Sequence, residues 1–547
     1  MTDNRVLRED FIVPRCTKSC PAGVDVPRYI RAIRMGKFDE ALAVIRERIP
    51  FPVVCADACF APCEDACAYR QFGDPIAIRA LKRAAVDKAG DSWKKNQTKN
   101  PPTTKKVAVI GAGPAGLTAA YYLARAGHSV TLMDEFPRPG GMMRYAIPKY
   151  RLPEERLERD IREIMELGVE FKGNTLLGRD VSLSSLGQDF DAVCITVGAA
   201  AGTRIPLEGA EKRSFYWGLE FLKDTALGKP VDLGKKVVVI GGGNVAIDVA
   251  LTAKRLGAEE VTIFCLESRE EMPAHPWEIA LAEEEGVFIN NSWAPKKVLG
   301  DDKVAGLGLR RCVSVFDNAC NFNPVYDDEI THRISADSIV AAIGQVPDLA
   351  FLKSCPDIQT SGNRVGVKED LSTGTKGIFA AGDVVTGPSS IINSISQGRS
   401  LAESIDKFLG GSGDISETLA EPETEVILSD QLPISARQEI RHLKGWQRLG
   451  NFDQVEIGLN DSQIAQEASR CLECDARKFE VTVNTANCKE CGYCAEVCSM
   501  QVFGPAANFN ARGYRPMETK SSDWCIGCLK CFFCCPDFAI DVRERTA

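Results

Sequence analysis

Eight cysteines near the C-terminus repeat one spacing twice: Cys488, Cys491, Cys494 and Cys498, then Cys525, Cys528, Cys531 and Cys535, the last followed by Pro536. Each half is C-x2-C-x2-C-x3-C, a run in which three thiolates close on one [4Fe-4S] cubane and the fourth reaches across to its twin. The spacing predicts Cys488, Cys491, Cys494 and Cys535 on one cluster, and Cys525, Cys528, Cys531 and Cys498 on the other. Zinc is the competing reading, because soft thiolates also take that ion. A structural zinc site uses four ligands set as two pairs, and the doubled run fits clusters better. Cys534 is left over as a spare.

Eight more cysteines are grouped less regularly. Cys16 and Cys20 stand at C-x3-C before Pro21, Cys55, Cys59, Cys63 and Cys67 recur every fourth residue, and Cys471 and Cys474 form a single C-x2-C pair. Between these ends lie two glycine-rich turns. Gly111-Ala112-Gly113-Pro114-Ala115-Gly116 follows the apolar run 107–110 and opens a helix expected over 117–125. Glycine there permits a tight turn and the approach of a pyrophosphate to a helix N-terminus. The next apolar run, 129–133, ends at Asp134, placed to hold ribose hydroxyls. Glycine turns also serve packing alone, so the order strand, turn, helix, strand, acid makes the dinucleotide reading. The second turn keeps that order: an apolar run at 237–240, then Gly241-Gly242-Gly243-Asn244-Val245-Ala246, and a strand over 260–266 that ends at Glu267. Ala246 stands in the third glycine's place, which the fingerprint permits. An acid at Glu267 accepts from both ribose hydroxyls and repels a 2'-phosphate, which favours NAD(H) over NADP(H).

These groups need several domains to carry them. At 547 residues the chain exceeds one hydrophobic core. With 44% hydrophobic and 26% charged residues, most of it is expected to fold. The fold class is multidomain α/β, with a helical iron-sulfur domain, two interleaved Rossmann-like dinucleotide-binding domains and a C-terminal bacterial-type ferredoxin module. The expected order is a helical iron-sulfur domain at 1–104, a first part of an interrupted dinucleotide-binding domain at 105–232, an NAD-binding domain at 233–340, and the rest of the interrupted domain at 341–410. A linker and connecting segment follows at 411–464 and the ferredoxin module at 465–547. Helical apolar spacing runs through 29–33 and 41–45 with Gly36 between. The polar stretch DSWKKNQTKNPPTTKK, ending at Lys106, reads as a linker. The stretch GGSGDISETLAEPETE, within 408–432, reads as a tether loose enough for the ferredoxin module to sit apart.

No run of 18 uncharged apolar residues appears, and MTDNRVLRED lacks an apolar signal segment, so a cytoplasmic protein without a membrane span is expected. Short C-x2-C steps beside nucleotide fingerprints belong to a reducing compartment, which sets aside disulfides. The net charge is -9, and no basic stripe with interleaved aromatics marks a nucleic-acid partner.

The run Gly377-Ile378-Phe379-Ala380-Ala381-Gly382-Asp383 brings in a resemblance. It is similar to the segment that completes the FAD domain of two-dinucleotide flavoproteins, which implies that the first fingerprint takes FAD and that Gly382 and Asp383 face its ribityl chain or phosphate. From Cys16 to about Ala402 the sequence resembles the small subunit of glutamate synthase and the electron-entry portion of dihydropyrimidine dehydrogenase. The pieces that carry this are FPVVCADACFAPCEDAC (51–67), GAGPAGL (111–117), GGMMRYAIPKYRLP (140–153), GGGNVAIDVA (241–250), REEMPA (269–274) and GIFAAGD (377–383). Two departures stand out. The family's arginine after the AxDxA helix sequence is Leu251 here, and its Tyr-Arg-Arg is Cys265-Leu266-Glu267, so the grip on an NADPH 2'-phosphate is missing. Arg269 is the one nearby residue that could substitute.

The family's opening RCLxC pair is also displaced. It appears as Arg470-Cys471-Leu472-Glu473-Cys474, far behind Cys16. The resemblance thus implies that Cys471 and Cys474 return to share a cluster with Cys16 and Cys67. Cys20, Cys59 and Cys63 then hold the other, with Cys55 or a non-cysteine group as fourth ligand. The alternative is a surface pair or zinc half-site. Together the cofactors are FAD, NAD and four [4Fe-4S] clusters, with the flavin converting a hydride pair into single electrons and no protein nucleophile required. A redox C-x2-C beside a flavin is absent from the middle of the chain. Cys194, Cys265, Cys312, Cys320 and Cys355 are isolated and expected as buried small hydrophobes, and His128 is expected to be structural.

Three functions remain in view. The first is an NAD-reducing subunit of a redox complex whose partner resembles a thiamine-diphosphate, CoA-acylating 2-oxoacid oxidoreductase such as phenylglyoxylate dehydrogenase. The second is the same flavoenzyme oxidising NADH toward ferredoxin or a reductive enzyme. The third is a non-catalytic iron-sulfur assembly or interaction protein, against which the intact fingerprints argue.

Overall fold

In a computed structural model, residues 5–7, 11–355, 357–428 and 434–544 are described. Residues 1–4 and 8–10 of the N-terminal segment and 429–432 of the expected tether lie outside them. The chain forms two compact units, neither contiguous. One comprises Met1–Thr98, Ser416–Arg441 and Gly458–Ala547; the other comprises Lys99–Ile415 and His442–Ile457.

The nucleotide unit is built on two five-stranded sheets. Parallel strands Lys106–Ile110, Ser129–Met133, Glu170–Lys172, Ala192–Ile195 and Ile378–Ala380 form the first, with Lys106–Ile110 at the centre. Strand Ile378–Ala380 comes from far down the chain and pairs with Ala192–Ile195, so this sheet is interrupted and later completed. The inserted sheet holds Lys236–Ile240, Glu260–Phe264, Val287–Asn290, Ser338–Ala341 and Phe215–Trp217, also parallel. Apolar runs such as 107–110 and 237–240 are buried on both faces, as parallel sheets require. A three-stranded antiparallel sheet, Trp293–Leu299, Gly306–Phe316 and Phe322–Ser335, is added behind it.

The long helix Ile391–Phe408 crosses helix Pro114–Arg125 at Gly398, where a Cβ would meet the Ala115 carbonyl at 2.4 Å. His128 sits beneath this crossing, bonded to Thr103 and to Asp406 at 2.9 Å each, a structural role as expected. Cys194, Cys265 and Cys312 are buried and Cys355 is half-buried, whereas Cys320 is exposed in a turn with φ +60, contrary to expectation. Among the described residues no helix is long and apolar enough to cross a membrane.

The cysteine unit is mainly helical at its N-terminal end. Helices Val26–Arg34 and Phe38–Arg46 are separated by Gly36 with φ +72 and pack with helices Pro52–Ala58 and Ile78–Lys88. The polar linker begins differently from its composition. Trp93 is buried, and Arg46 stacks over its ring at 3.9 Å, so 92–96 is part of this unit.

The tether is likewise corrected where it is described. Leu419 and Ala420 are buried, and their backbone N–H groups donate to Glu47 at 3.2 Å. Arg28 donates to the carbonyls of Ala420 and Glu421. The carbonyls of Ala420 and Glu421 and the carboxylate of Glu423 there satisfy buried arginines instead of solvating a free strand. Of the expected connecting segment, residues 442–457 belong to the nucleotide unit, where Val455 donates to the Tyr150 carbonyl at 3.0 Å.

Candidate functional site

The first glycine turn is shaped by two contacts that no side chain survives. A Cβ on Gly111 would lie 2.4 Å from the Thr196 carbonyl oxygen, and one on Gly116 would lie 1.9 Å from that of Gly111. Gly113 differs: it caps helix Pro114–Arg125 without a side-chain hydrogen bond, and the space where its Cβ would stand is open. This 12-residue helix thus presents its positive end to an uncovered glycine, the cradle a pyrophosphate needs. Asp134 accepts from Ala112 N–H at 2.6 Å and Phe136 N–H at 2.9 Å, so it fixes the turn while standing at the strand end. Burial pushes its carboxyl up to about 6. Gly382 reaches the same helix start, its absent Cβ 3.0 Å from that of Ala115. Asp383 beside it accepts from Ser389 Oγ at 2.7 Å and is raised by burial. Gly111, Gly113, Gly116, Asp134, Gly382 and Asp383 therefore gather at one end of the first sheet. FAD fits this cradle.

The second turn repeats the plan. Gly241 has φ +133 and lies against the Ala342 carbonyl, Gly243 caps helix Asn244–Arg255 with its nearest foreign atom at 4.0 Å, and Ala246 is fully buried. Asn244 accepts from His275 N–H at 2.9 Å and Gly242 O from Ala274 N–H at 3.1 Å, which folds residues 272–275 back over the turn. The strand stops at Phe264, two residues before the expected end. Glu267 still reaches the fingerprint, since a Cβ on Gly242 would sit 2.7 Å from Glu267 Oε2. Burial raises its pKa. Leu251 is buried in the apolar core, and Arg269 is held in a two-point ion pair with Glu283 at 2.8 Å.

The cysteines converge within their own unit. Cys16, Cys67, Cys471 and Cys474 line one cavity together with Ile30, Tyr69, Trp524 and Cys525. Burial, and then Cys474, Cys67 and Cys471, hold the Cys16 thiol well above its ordinary value; burial takes Cys471 up to about 12. Metal-free thiols in so dry a place favour their protons, which cluster assembly must release. Arginines bring the late segment here. Arg31 forks onto Asp475 at 2.7 and 2.9 Å, Arg34 binds Glu473 at 2.8 Å, and Arg470 joins Glu467 at 2.6 Å and the Asp74 carbonyl at 2.7 Å while stacking over Tyr69.

Cys20, Cys55, Cys59 and Cys63 are all charge neighbours of Lys82, a residue that sequence reading missed. Lys82 is buried, and the negative charge of these four groups as thiolates raises its pKa although burial alone would lower it. One basic residue among several on helix Ile78–Lys88 carries no signal in the sequence.

In the ferredoxin module Cys498 is among the charge neighbours of Cys525 and Cys531, whereas Cys494 neighbours Cys488, Cys491 and Cys534. Cys498 therefore lies with Cys525 and Cys531, where the expected crossing puts it, whereas the spare Cys534 is a neighbour of Cys494, Cys491 and Cys535. Among the described residues, no three His, Cys, Asp or Glu side chains converge as a single metal ion requires. The four thiols with Trp524 instead wall a cavity, which fits a cluster.

A split parallel sheet carrying one dinucleotide cradle, with a second cradle inserted, and a cysteine-rich helical module define a class of flavin- and nicotinamide-dependent oxidoreductases. The chain belongs to the pyridine nucleotide-disulphide oxidoreductase family, which it matches over residues 105–398, and residues 11–93 match the 4Fe-4S cluster domain II of dihydropyrimidine dehydrogenase. It is 36% identical over 507 residues to the NADPH-Fe(3+) oxidoreductase subunit beta of Geobacter sulfurreducens, covering 84% of this chain and 75% of that one. It is 33% identical over 445 residues to the glutamate synthase [NADPH] small chain of Mycobacterium tuberculosis, covering 75% and 90%. To the NAD-dependent dihydropyrimidine dehydrogenase subunit PreT of Salmonella typhimurium it is 32% identical over 399 residues, covering 72% and 91%. The expected glutamate synthase small-subunit resemblance holds. This chain is an electron-transferring FAD/NAD(P) oxidoreductase with a 4Fe-4S domain.

Proposed function

We propose that this chain is the NAD-linked subunit of a redox complex, with FAD on the first fingerprint, NAD on the second and four [4Fe-4S] clusters on sixteen cysteines. It reduces NAD+ with electrons from a partner enzyme, and the partner is a CoA-acylating 2-oxoacid oxidoreductase of the phenylglyoxylate type. The partner class rests on the joining of a ferredoxin module to an NAD-preferring flavin unit. The observation that carries the nicotinamide preference is Glu267 against Gly242, with Leu251 buried and Arg269 engaged by Glu283. A 2'-phosphate at this turn meets a carboxylate and no free guanidinium of those three positions, whereas ribose hydroxyls find an acceptor. Relatives named for NADPH and for NAD bracket this choice.

When bound, the flavin supplies the exchange between a hydride pair and single electrons. The chain's own residues bind and orient. Gly113 and Gly243 leave two helix N-termini open to pyrophosphates, Asp134 and Glu267 receive riboses, and the cysteines fix the positions through which electrons pass. Lys82 places a positive charge among four of them. Anaerobic mixing of the holoprotein with each nicotinamide tests the reading: NADH bleaches the flavin in milliseconds to seconds and NADPH does not. Equal bleaching by both overturns the NAD preference, and isolation of the native complex with a different attached enzyme overturns the partner.

A further inference from the structure

The two ferredoxin sites are not equivalent, and the difference assigns an order to them. Among the described residues, the hydrogen bonds and cation–π contacts that tie Arg15, Lys18 and Gln71 to residues 497–530 fall within two residues of ligands of one site. Arg15 donates to Ser499 O at 3.1 Å, and Gln71 donates to Val497 O at 3.0 Å while accepting from Ser499 N–H at 3.2 Å, so both neighbours of Cys498 are held. Trp524, beside Cys525, lies under Arg15 and Lys18 at 5.0 and 5.2 Å. Lys530, beside Cys531, donates to Gln71 O at 2.6 Å. Cys525 and Trp524 also line the cavity of Cys16, Cys67, Cys471 and Cys474. At the other site Cys491 is exposed, and Phe538, three residues after Cys535, is 85% exposed.

We infer that the site of Cys498, Cys525, Cys528 and Cys531 is the inner station, sharing a wall with the Cys16, Cys67, Cys471 and Cys474 site. The site of Cys488, Cys491, Cys494 and Cys535 is then the terminal station, through which the partner's electrons enter or leave. This rests on the functional reading for its direction and not for its order. Each NAD+ reduced takes two electrons and one proton, so electrons from two terminal-site reductions pass singly through the inner site for every NADH formed. Trp524 flanks the crossing, and a shared wall keeps it short; distance along such a path is what the protein sets, while cluster surroundings set the potentials.

Magnetic coupling reads the order without any nicotinamide. In dithionite-reduced holoprotein the signal that Cys471→Ser/Cys474→Ser removes belongs to the Cys16 site. In Cys491→Ser that signal keeps its full broadening, because only the terminal site is lost. In Cys528→Ser it narrows. Narrowing in Cys491→Ser overturns the order, even where Cys528→Ser fails to assemble its module. A second measurement separates order from function: after NAD+ is added to the reduced protein, the terminal signal of Cys528→Ser stays reduced while the wild-type signal decays. Decay at the wild-type rate in Cys528→Ser contradicts the inferred sequence. No oxidation in wild type, with the coupling pattern as expected, contradicts the NAD+-reducing function alone.

Discussion

The two units of this molecule are both assembled from separated stretches of chain, yet they close by different forces. The nucleotide unit closes through a strand: Ile378–Ala380 enters the first sheet beside Ala192–Ile195, all apolar and buried, and a glycine at 398 lets a helix press onto Pro114–Arg125. The cysteine unit closes through charge. Arg31, Arg28 and Arg470 are buried, and each binds carboxylates or carbonyls in segments hundreds of residues away. A strand addition is held by apolar area and a continuous ladder, so it tolerates single losses. A buried ion pair is different: removing one partner strands the other charge, which costs more than the pair itself contributes. Removing one charge should therefore release the late segments of the cysteine unit, as it should release segment 442–457 of the nucleotide unit, where Arg448 is buried against Glu285.

That contrast can be broken in several places. Gly116→Ala should have the largest effect, since its Cβ would stand 1.9 Å from the Gly111 oxygen; the purified protein is expected to release no flavin on denaturation, with its four proposed cluster sites still loaded. Retained flavin would place the cofactor elsewhere. Arg470→Met follows. It leaves Glu467 buried without its partner, and about 3–5 kcal/mol of stability is expected to go, read as an earlier denaturant midpoint of the cysteine unit and loss of one cluster. An unaltered midpoint would mean that charge does not close this unit. Glu267→Gln acts on selectivity alone: the NADH over NADPH ratio in flavin bleaching is expected to fall about tenfold, near 1.4 kcal/mol, with stability unchanged. Cys320→Ser is the smallest change, within about 0.5 kcal/mol and without effect on iron content, as suits an exposed residue of a turn.

What the sequence made legible follows the same division. Local features were readable because their geometry is contained in a few neighbouring residues. The fingerprints Gly111-Gly113-Gly116 and Gly241-Gly243-Ala246, the acids Asp134 and Glu267, and Cys498 beside Cys525 and Cys531 stand where spacing puts them, while at the other site Cys494 and Cys491 have the spare Cys534 as a neighbour. The return of Cys471 and Cys474 to Cys16 and Cys67 was also foreseeable, through a displaced motif. The means of that return was not. Arg31, Arg34 and Arg470 look like ordinary surface charge in sequence, and Lys82 likewise, because burial of a charge depends on partners that only the tertiary structure supplies. The tether failed for the same reason: the composition around 410–425 resembles a solvated linker until Glu47, Arg28 and Arg31 bind Leu419, Ala420, Glu421 and Glu423. Trp524 and Gln71 acquire meaning only from the face they share.

The central claim is that cysteines from opposite ends of the chain hold one cluster. Iron and acid-labile sulfide measured in Cys471→Ser/Cys474→Ser, against wild type purified alongside, test it most directly. One quarter of the iron and sulfide should be lost, with the ferredoxin signals kept. Iron and sulfide at the wild-type level would contradict the account.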